Sequence, residues 1–276
     1  MSNYLRTKNM NEDKIRQLQQ GLRSAFIMSD GNTNLAYKPQ FLTNDYHRGQ
    51  KVLSSIEEEL MNCDEFIISV AFITKSGITP LLQTFKELER KGVKGRILTT
   101  DYLMFSEPDA LKTLDSLENI TIKMYCTENG PGFHTKGYIF QKDCLYRIII
   151  GSSNMTQYAL TVNKEWNTRV ISTAQGEYIQ DIKKEFEGLW NDKATLSFEE
   201  FFDTYQVKYH IVKNQRDSVR QSRILSLEAY RLRPNLMQVR FIGNLKGLIR
   251  EQAKRALLIS ATGDGGIIVP SQAKTA

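Results

Sequence analysis

The 276-residue chain carries 37 Lys and Arg against 31 Asp and Glu, with 41% apolar and 25% charged residues, the balance of a soluble globular protein able to bury a full core. No apolar run approaches the roughly 20 residues of a membrane span, and the amphipathic start does not read as a signal peptide, so the expected location is the cytoplasm. Cys63, Cys126 and Cys144 are odd in number, widely separated and set in apolar segments, which fits reduced core thiols better than a disulfide scaffold, and without CxxC or HExxH no zinc site is expected.

Residues 11–28 place Ile15, Leu18, Leu22, Ala25 and Phe26 at helical spacing, and the turn-rich segment up to Phe41 reads as an irregular crossing. Val52, Leu53, Ile56 and Leu60 mark a helix over 48–61. The unbroken apolar run 66–73 predicts a strand covered on both faces. Alternation then continues: helix 79–90 stopped by Lys91-Gly92, strand 93–99, helix 109–117, strand 120–125, two adjacent strands at 133–140 and 145–150, a helix from Met155, a strand near 168–171 and a helix 175–190. This is α/β, a mixed sheet between helices.

Residues 198–210, with Phe201, Phe202 and Tyr205, read as a closing helix. Residues 1–206 hold 24 basic against 27 acidic side chains, a balance of −3, whereas 207–255 hold 12 against 3, a balance of +9. That shift sets a boundary after Gln206, with 207–233 as a basic linker. In 234–276, RPNLMQ and SATG resemble the entry to a helicase ATPase core, but no lysine follows Gly265-Gly266 to reach a terminal phosphate. The segment reads as a truncated start without ATPase activity.

The chemistry concentrates in 133–166. His134 and Lys136, two apart on the expected strand, leave one face together. The next strand ends in Gly151-Ser152-Ser153-Asn154, where a tight turn into a helix would offer backbone N–H groups to an anion. Phosphodiester cleavage without a metal needs a nucleophile, a charge clamp and an acid for the leaving alkoxide. His134 serves as nucleophile, since an ordinary imidazole is substantially neutral near pH 7. Lys136 and Asn154 clamp the phosphate with Ser152 and Ser153, and Glu165 holds the imidazole in its tautomer. One imidazole cannot both attack and protonate. His47 and His210 lack a comparable context, so a second copy of His134 across a two-fold axis is the simplest acid. Gly151 as turn former, Asn154 as helix cap, and Trp166 and Tyr158 as packing residues are the duller alternatives.

The order HTK, apolar strand, GSSN, glutamate resembles the phospholipase D superfamily. The segments FIISVAFITKSGI, GRILTTDY, FHTKGYIF, IIIGSSNMTQYAL and NKEWN resemble more closely the nuclease-like domain at the N-terminus of bacterial superfamily II helicases, and more distantly metal-independent restriction endonucleases, over roughly 45–190. The resemblance implies a phospholipase D-like fold and a homodimer sharing one active site. It also implies a phosphohistidine intermediate, no cofactor or metal, and DNA as partner rather than membrane lipid. The usual aspartate five residues after the lysine is Gln141 here, with Asp143 two residues on. The restriction-type relatives rely instead on the asparagine and glutamate, by motif Asn154 and Glu165. The alternative is a DNA-binding and dimerisation module that keeps the fold with little or no catalysis.

Overall fold

The computed structural model describes residues 12–29, 33–128 and 131–224, with a few positions between 243 and 251. The chain divides into two units, 1–216 and 217–276, and the features below lie in the first. In chain order its elements are helix α1 (Glu12–Phe26), strand β1 (Gln40–Leu42), α2 (Val52–Asn62), β2 (Glu65–Val70), the single turn α3 (Lys75–Ile78), α4 (Leu82–Arg90) and β3 (Lys94–Thr100). There follow α5 (Pro108–Asp115), β4 (Ile120–Tyr125), β5 (Lys136–Lys142), β6 (Leu145–Gly151), α6 (Gln157–Thr161), β7 (Asn167–Thr173), α7 (Glu177–Trp190), β8 (Thr195–Ser197) and α8 (Phe198–Ile224). No helix among the described residues is long and apolar enough to cross a membrane.

The eight strands form one mixed sheet in the order β1-β7-β6-β5-β2-β3-β4-β8. β2, β3 and β4 run parallel, joined by crossovers through α4 and α5, and the remaining pairings are antiparallel. Helices cover both faces, as expected. Phe66, Ile68 and Val70 of β2 pack with Ile97, Tyr138 and Phe140 beneath α2, α4 and α5, and Phe201 and Tyr205 of α8 join that cluster. Ile67, Leu98, Ile139 and Ile148 point the other way, onto Ile179, Phe186 and Trp190 of α7. Double coverage is why β2 reads as continuous apolar sequence rather than an alternation.

Several boundaries differ from expectation. β2 ends at Val70, because Ala71–Thr74 leaves the sheet and Ile73 bridges Met155. The segment before Phe41, read as irregular, ends in β1, which pairs with β7. The boundary expected after Gln206 falls within α8. Tyr205 and Tyr209 bury their rings, and Lys208 pairs with Glu128 at 3.2 Å. Lys208, Lys213 and Arg216, three of the basic residues that suggested a linker, lie on this helix. The 207–233 linker is thus helical through 224, and the helicase-like 234–276 segment lies outside the described residues apart from the few positions named. All three cysteines are free thiols, and burial pushes Cys63 up to about 12 and Cys126 up to about 11.

Candidate active site

The carboxyl ends of β2 and β3 share one edge of the sheet with the start of β5, the end of β6 and the start of β7. Register fixes this: Val70 lies opposite Lys136, Gly137 opposite Ile150, and Gly151 opposite Asn167. A crevice beyond the carboxyl ends of parallel strands is where α/β sheets place their ligands.

His134 is not on β5, which begins two residues later, and the expectation that strand alternation aims His134 and Lys136 together is corrected accordingly. Thr135 leaves the ladder for a 2.7 Å hydroxyl bond with Ser69, and the exposed His134 sits in the approach loop. Lys136 reaches back instead, its Nζ donating to the His134 carbonyl at 2.7 Å. Partial burial draws the Lys136 ammonium below the ordinary lysine range, against an opposing pull from the Glu165 carboxylate. The ring beside His134 is Tyr102, edge-on with centroids 4.6 Å apart, a neighbour the motif did not signal.

The 151–156 turn is built from inside. A β-carbon on Gly151 would lie 2.2 Å from the Trp166 carbonyl oxygen and 2.4 Å from Asn167 Oδ1, so only glycine fits. Gly151→Ala is expected to cost about 1–3 kcal/mol as overpacking against backbone, read as a lower urea midpoint with an unchanged slope. Buried Asn167 organises the turn, its Nδ2 donating to Ser153 Oγ at 2.9 Å and its Oδ1 accepting from Ser153 N at 3.3 Å. Ser152 N donates to Trp166 O, Met155 N to Phe72 O and Thr156 N to Asn154 O. The expected cradle of free N–H groups is therefore corrected at Ser152, Ser153, Met155 and Thr156, whose N–H groups are bonded inside the protein, mostly to the neighbouring 72 and 166–167 segments. The helix also begins at Gln157, not Met155.

Ser153, expected as a phosphate ligand, is fully buried with its hydroxyl committed to Asn167, so it braces the turn and does not face substrate. Ser152 is exposed, and its Oγ donates to Glu165 Oε2 while accepting from Trp166 N at 3.1 Å. The Glu165 carboxylate thus accepts from Ser152, with Lys136 within its field, rather than from His134. Asn154 Oδ1 accepts from Phe72 N at 3.1 Å, which leaves the two Nδ2 hydrogens as its remaining donors. Tyr138 underpins the group from within, donating to Ser153 O at 3.0 Å. Trp166 and Tyr158 do not pack into the core: they are 73% and 66% exposed, and Trp166 rests edge-on against Phe41.

Gln141 and Asp143 lie at the other end of β5, roughly 20 Å from Lys136 at the usual strand rise. Gln141 accepts from the Tyr146 hydroxyl at 2.8 Å, and Asp143 takes a positive φ of 52° in the two-residue turn between β5 and β6. Neither belongs to the edge that carries His134. Among the described residues no group of three His, Cys, Asp or Glu side chains is placed to hold a metal ion.

Comparison with known proteins gives a family match over residues 56–190, to the model described as cardiolipin synthase, PLD-like domain. Three solved structures are similar to part of the chain. NucT from Helicobacter pylori is 18% identical, with 58% of this chain and 99% of that one aligned at a TM-score of 0.45. Nuc from Salmonella typhimurium, a phospholipase D family member, is 14% identical, with 58% and 98% aligned at 0.44. The phosphatidylserine synthase of Haemophilus influenzae Rd KW20 is 13% identical, with 66% and 46% aligned at 0.44. No curated protein matches the chain.

Proposed function

From the phospholipase D-like domain that residues 56–190 form, we propose a metal-independent nuclease that hydrolyses DNA phosphodiesters through a phosphohistidine, in a homodimer whose two copies share one active site. The observation that carries this reading is the convergence of His134, Lys136, Asn154 and the Ser152–Glu165 pair on one open sheet edge.

In the first step the His134 imidazole attacks phosphorus and the bond to the leaving oxygen breaks. The alkoxide takes its proton from His134 of the partner subunit. That imidazole then accepts a proton from water, which attacks the phosphohistidine and returns His134 to its starting state. Lys136 and the Asn154 Nδ2 group hold the nonbridging oxygens. Glu165, through Ser152 and beside Lys136, keeps the clamp aligned and does not act directly on the imidazole. A second copy supplies what one chain lacks: His47 lies in the turn after β1 beside Tyr46, and His210 on α8 beside Tyr209. The exposed Trp166 and Phe41 rings next to Glu165 favour a nucleic acid over a lipid, because they offer a face on which a base can stack.

The test is cleavage of plasmid and single-stranded DNA in EDTA by wild type and His134→Ala, with oligomeric state measured in the same buffer. A folded dimer that binds DNA without cutting it would turn the reading to the docking module. A separate expectation concerns pH. Lys136 clamps only as ammonium, and its lowered pKa means the charge is lost earlier as pH rises. Loss of the proton from the leaving-group acid gives the first alkaline fall in kcat/KM, which reports the free enzyme, and loss of the Lys136 charge adds a further fall below the ordinary lysine range. In Lys136→Arg the first fall should stay and the further one should disappear from the measurable range, because a guanidinium does not titrate there.

A further inference from the structure

Two consecutive non-glycine residues, Leu103 and Met104, take positive φ values of 56° and 47° in the turn that follows β3. Such a pair persists only where its surroundings hold it. The holder is Arg216 of α8. Its guanidinium donates to the Leu103 carbonyl and, at 3.3 Å, to the Met104 carbonyl, and it lies 4.2 Å over the Phe105 ring. Tyr205, three turns earlier on the helix, donates to Ser106 O at 2.7 Å.

This turn touches the candidate site at two points. Tyr102 meets the His134 ring, and Phe105 packs at 5.0 Å on Phe72, whose N–H holds Asn154 Oδ1. The helix also reaches the segment that leads toward His134, since Lys208 pairs with Glu128 and Asp101 Oδ1 accepts from both Thr127 N and Thr127 Oγ1. The 101–106 turn and the 127–128 segment, both held from α8, thus flank the approach to His134.

We propose that Arg216 and Tyr102 are positioning residues: Arg216 locks the 102–105 turn, and the turn holds the His134 imidazole through its T-shaped contact with the Tyr102 ring. The kinetic consequence rests on the nuclease reading above, whereas the positioning does not. Misplacing a reacting group by about an ångström costs rate with little change in substrate binding. Arg216→Ala is therefore expected to lower kcat about tenfold with KM within about twofold, and Arg216→Lys, which keeps a cation over Phe105, to recover part of the loss.

The deciding experiment is the proton–carbon NMR spectrum of the full chain. With only three histidines, the His134 Cε1–H signal is assigned by its loss in His134→Ala. Tyr102→Leu removes the ring current and should displace that signal, and Arg216→Ala should displace it in the same direction, while Val207→Ala on an exposed part of α8 should not. If Arg216→Ala does not fold, Arg216→Lys decides, with an intermediate displacement expected. A His134 signal left at its wild-type position by the folded Arg216 variant overturns the proposal. A protein without nuclease activity whose signal moves as expected refutes the function and keeps the positioning.

Discussion

His134→Ala is expected to lower phosphodiester cleavage in EDTA by at least about 10⁴-fold, since deleting a covalent nucleophile removes the step that every later one depends on. DNA affinity should change by only a few fold. The phosphate clamp, Lys136 and Asn154, is held by contacts that do not involve the His134 side chain: Lys136 Nζ bonds the His134 backbone carbonyl, and Asn154 is fixed by Phe72 N. Co-expression with wild type makes the prediction sharper. If each active site needs His134 from both copies, random pairing leaves only wild-type homodimers competent, roughly a quarter of the total in a one-to-one mixture. Activity near half of wild type would show that each chain works alone. Residual EDTA-resistant cleavage by the purified variant would remove His134 from the reaction.

The sheet was legible where burial left a mark. Phe66–Val70 is apolar apart from Ser69 because helices cover both of its faces. The motif foretold one sheet edge for a topological reason: a two-residue turn joins β5 and β6, so His134 and the 152–154 turn return to the same end. Local sequence failed where the structure depends on distant partners. Phe133–Thr135 alternates like a strand, yet Ser69 takes the Thr135 hydroxyl out of that pattern. Asn167 closes the turn from across the β6–β7 pairing, and nothing near Ser153 announces that its N–H and hydroxyl are already bonded. The three-residue strands β1 and β8 are too short to show a period. In α8 the anchors Tyr205, Tyr209 and Arg216 are spaced too widely among polar residues to stand out, which makes an anchored helix look like a linker.

Glu59→Ala should be the costliest substitution for stability, about 3–5 kcal/mol, because it removes one partner of a buried ion cluster. Glu59 on α2 is 5% exposed, and its Oε1 accepts from Arg169 Nη1 at 2.9 Å while Oε2 lies 3.4 Å from Arg147 Nε. Arg147 and Arg169 stand on the adjacent strands β6 and β7. Without the carboxylate, two guanidiniums face each other beneath α2. Among the described residues Arg169 would keep only the Leu35 carbonyl, and its Nε already has no partner there. The exposed Arg90–Glu87 pair on α4 has a shorter contact, 2.7 Å, yet solvent screens it, so Glu87→Ala should leave stability nearly unchanged. Urea unfolding checks both, with a large fall in midpoint for Glu59→Ala and a small one for Glu87→Ala. Replacing all three members of the cluster with apolar residues of similar volume should recover most of the loss, since the penalty comes from charges left buried without a counterion. Arg169 is two residues from Asn167 on β7, so a cluster that loosens that strand also loosens the Ser153 brace. Glu59→Ala should therefore lose activity at temperatures where the bulk of the chain remains folded, and activity that tracks global unfolding point for point would separate the cluster from the site.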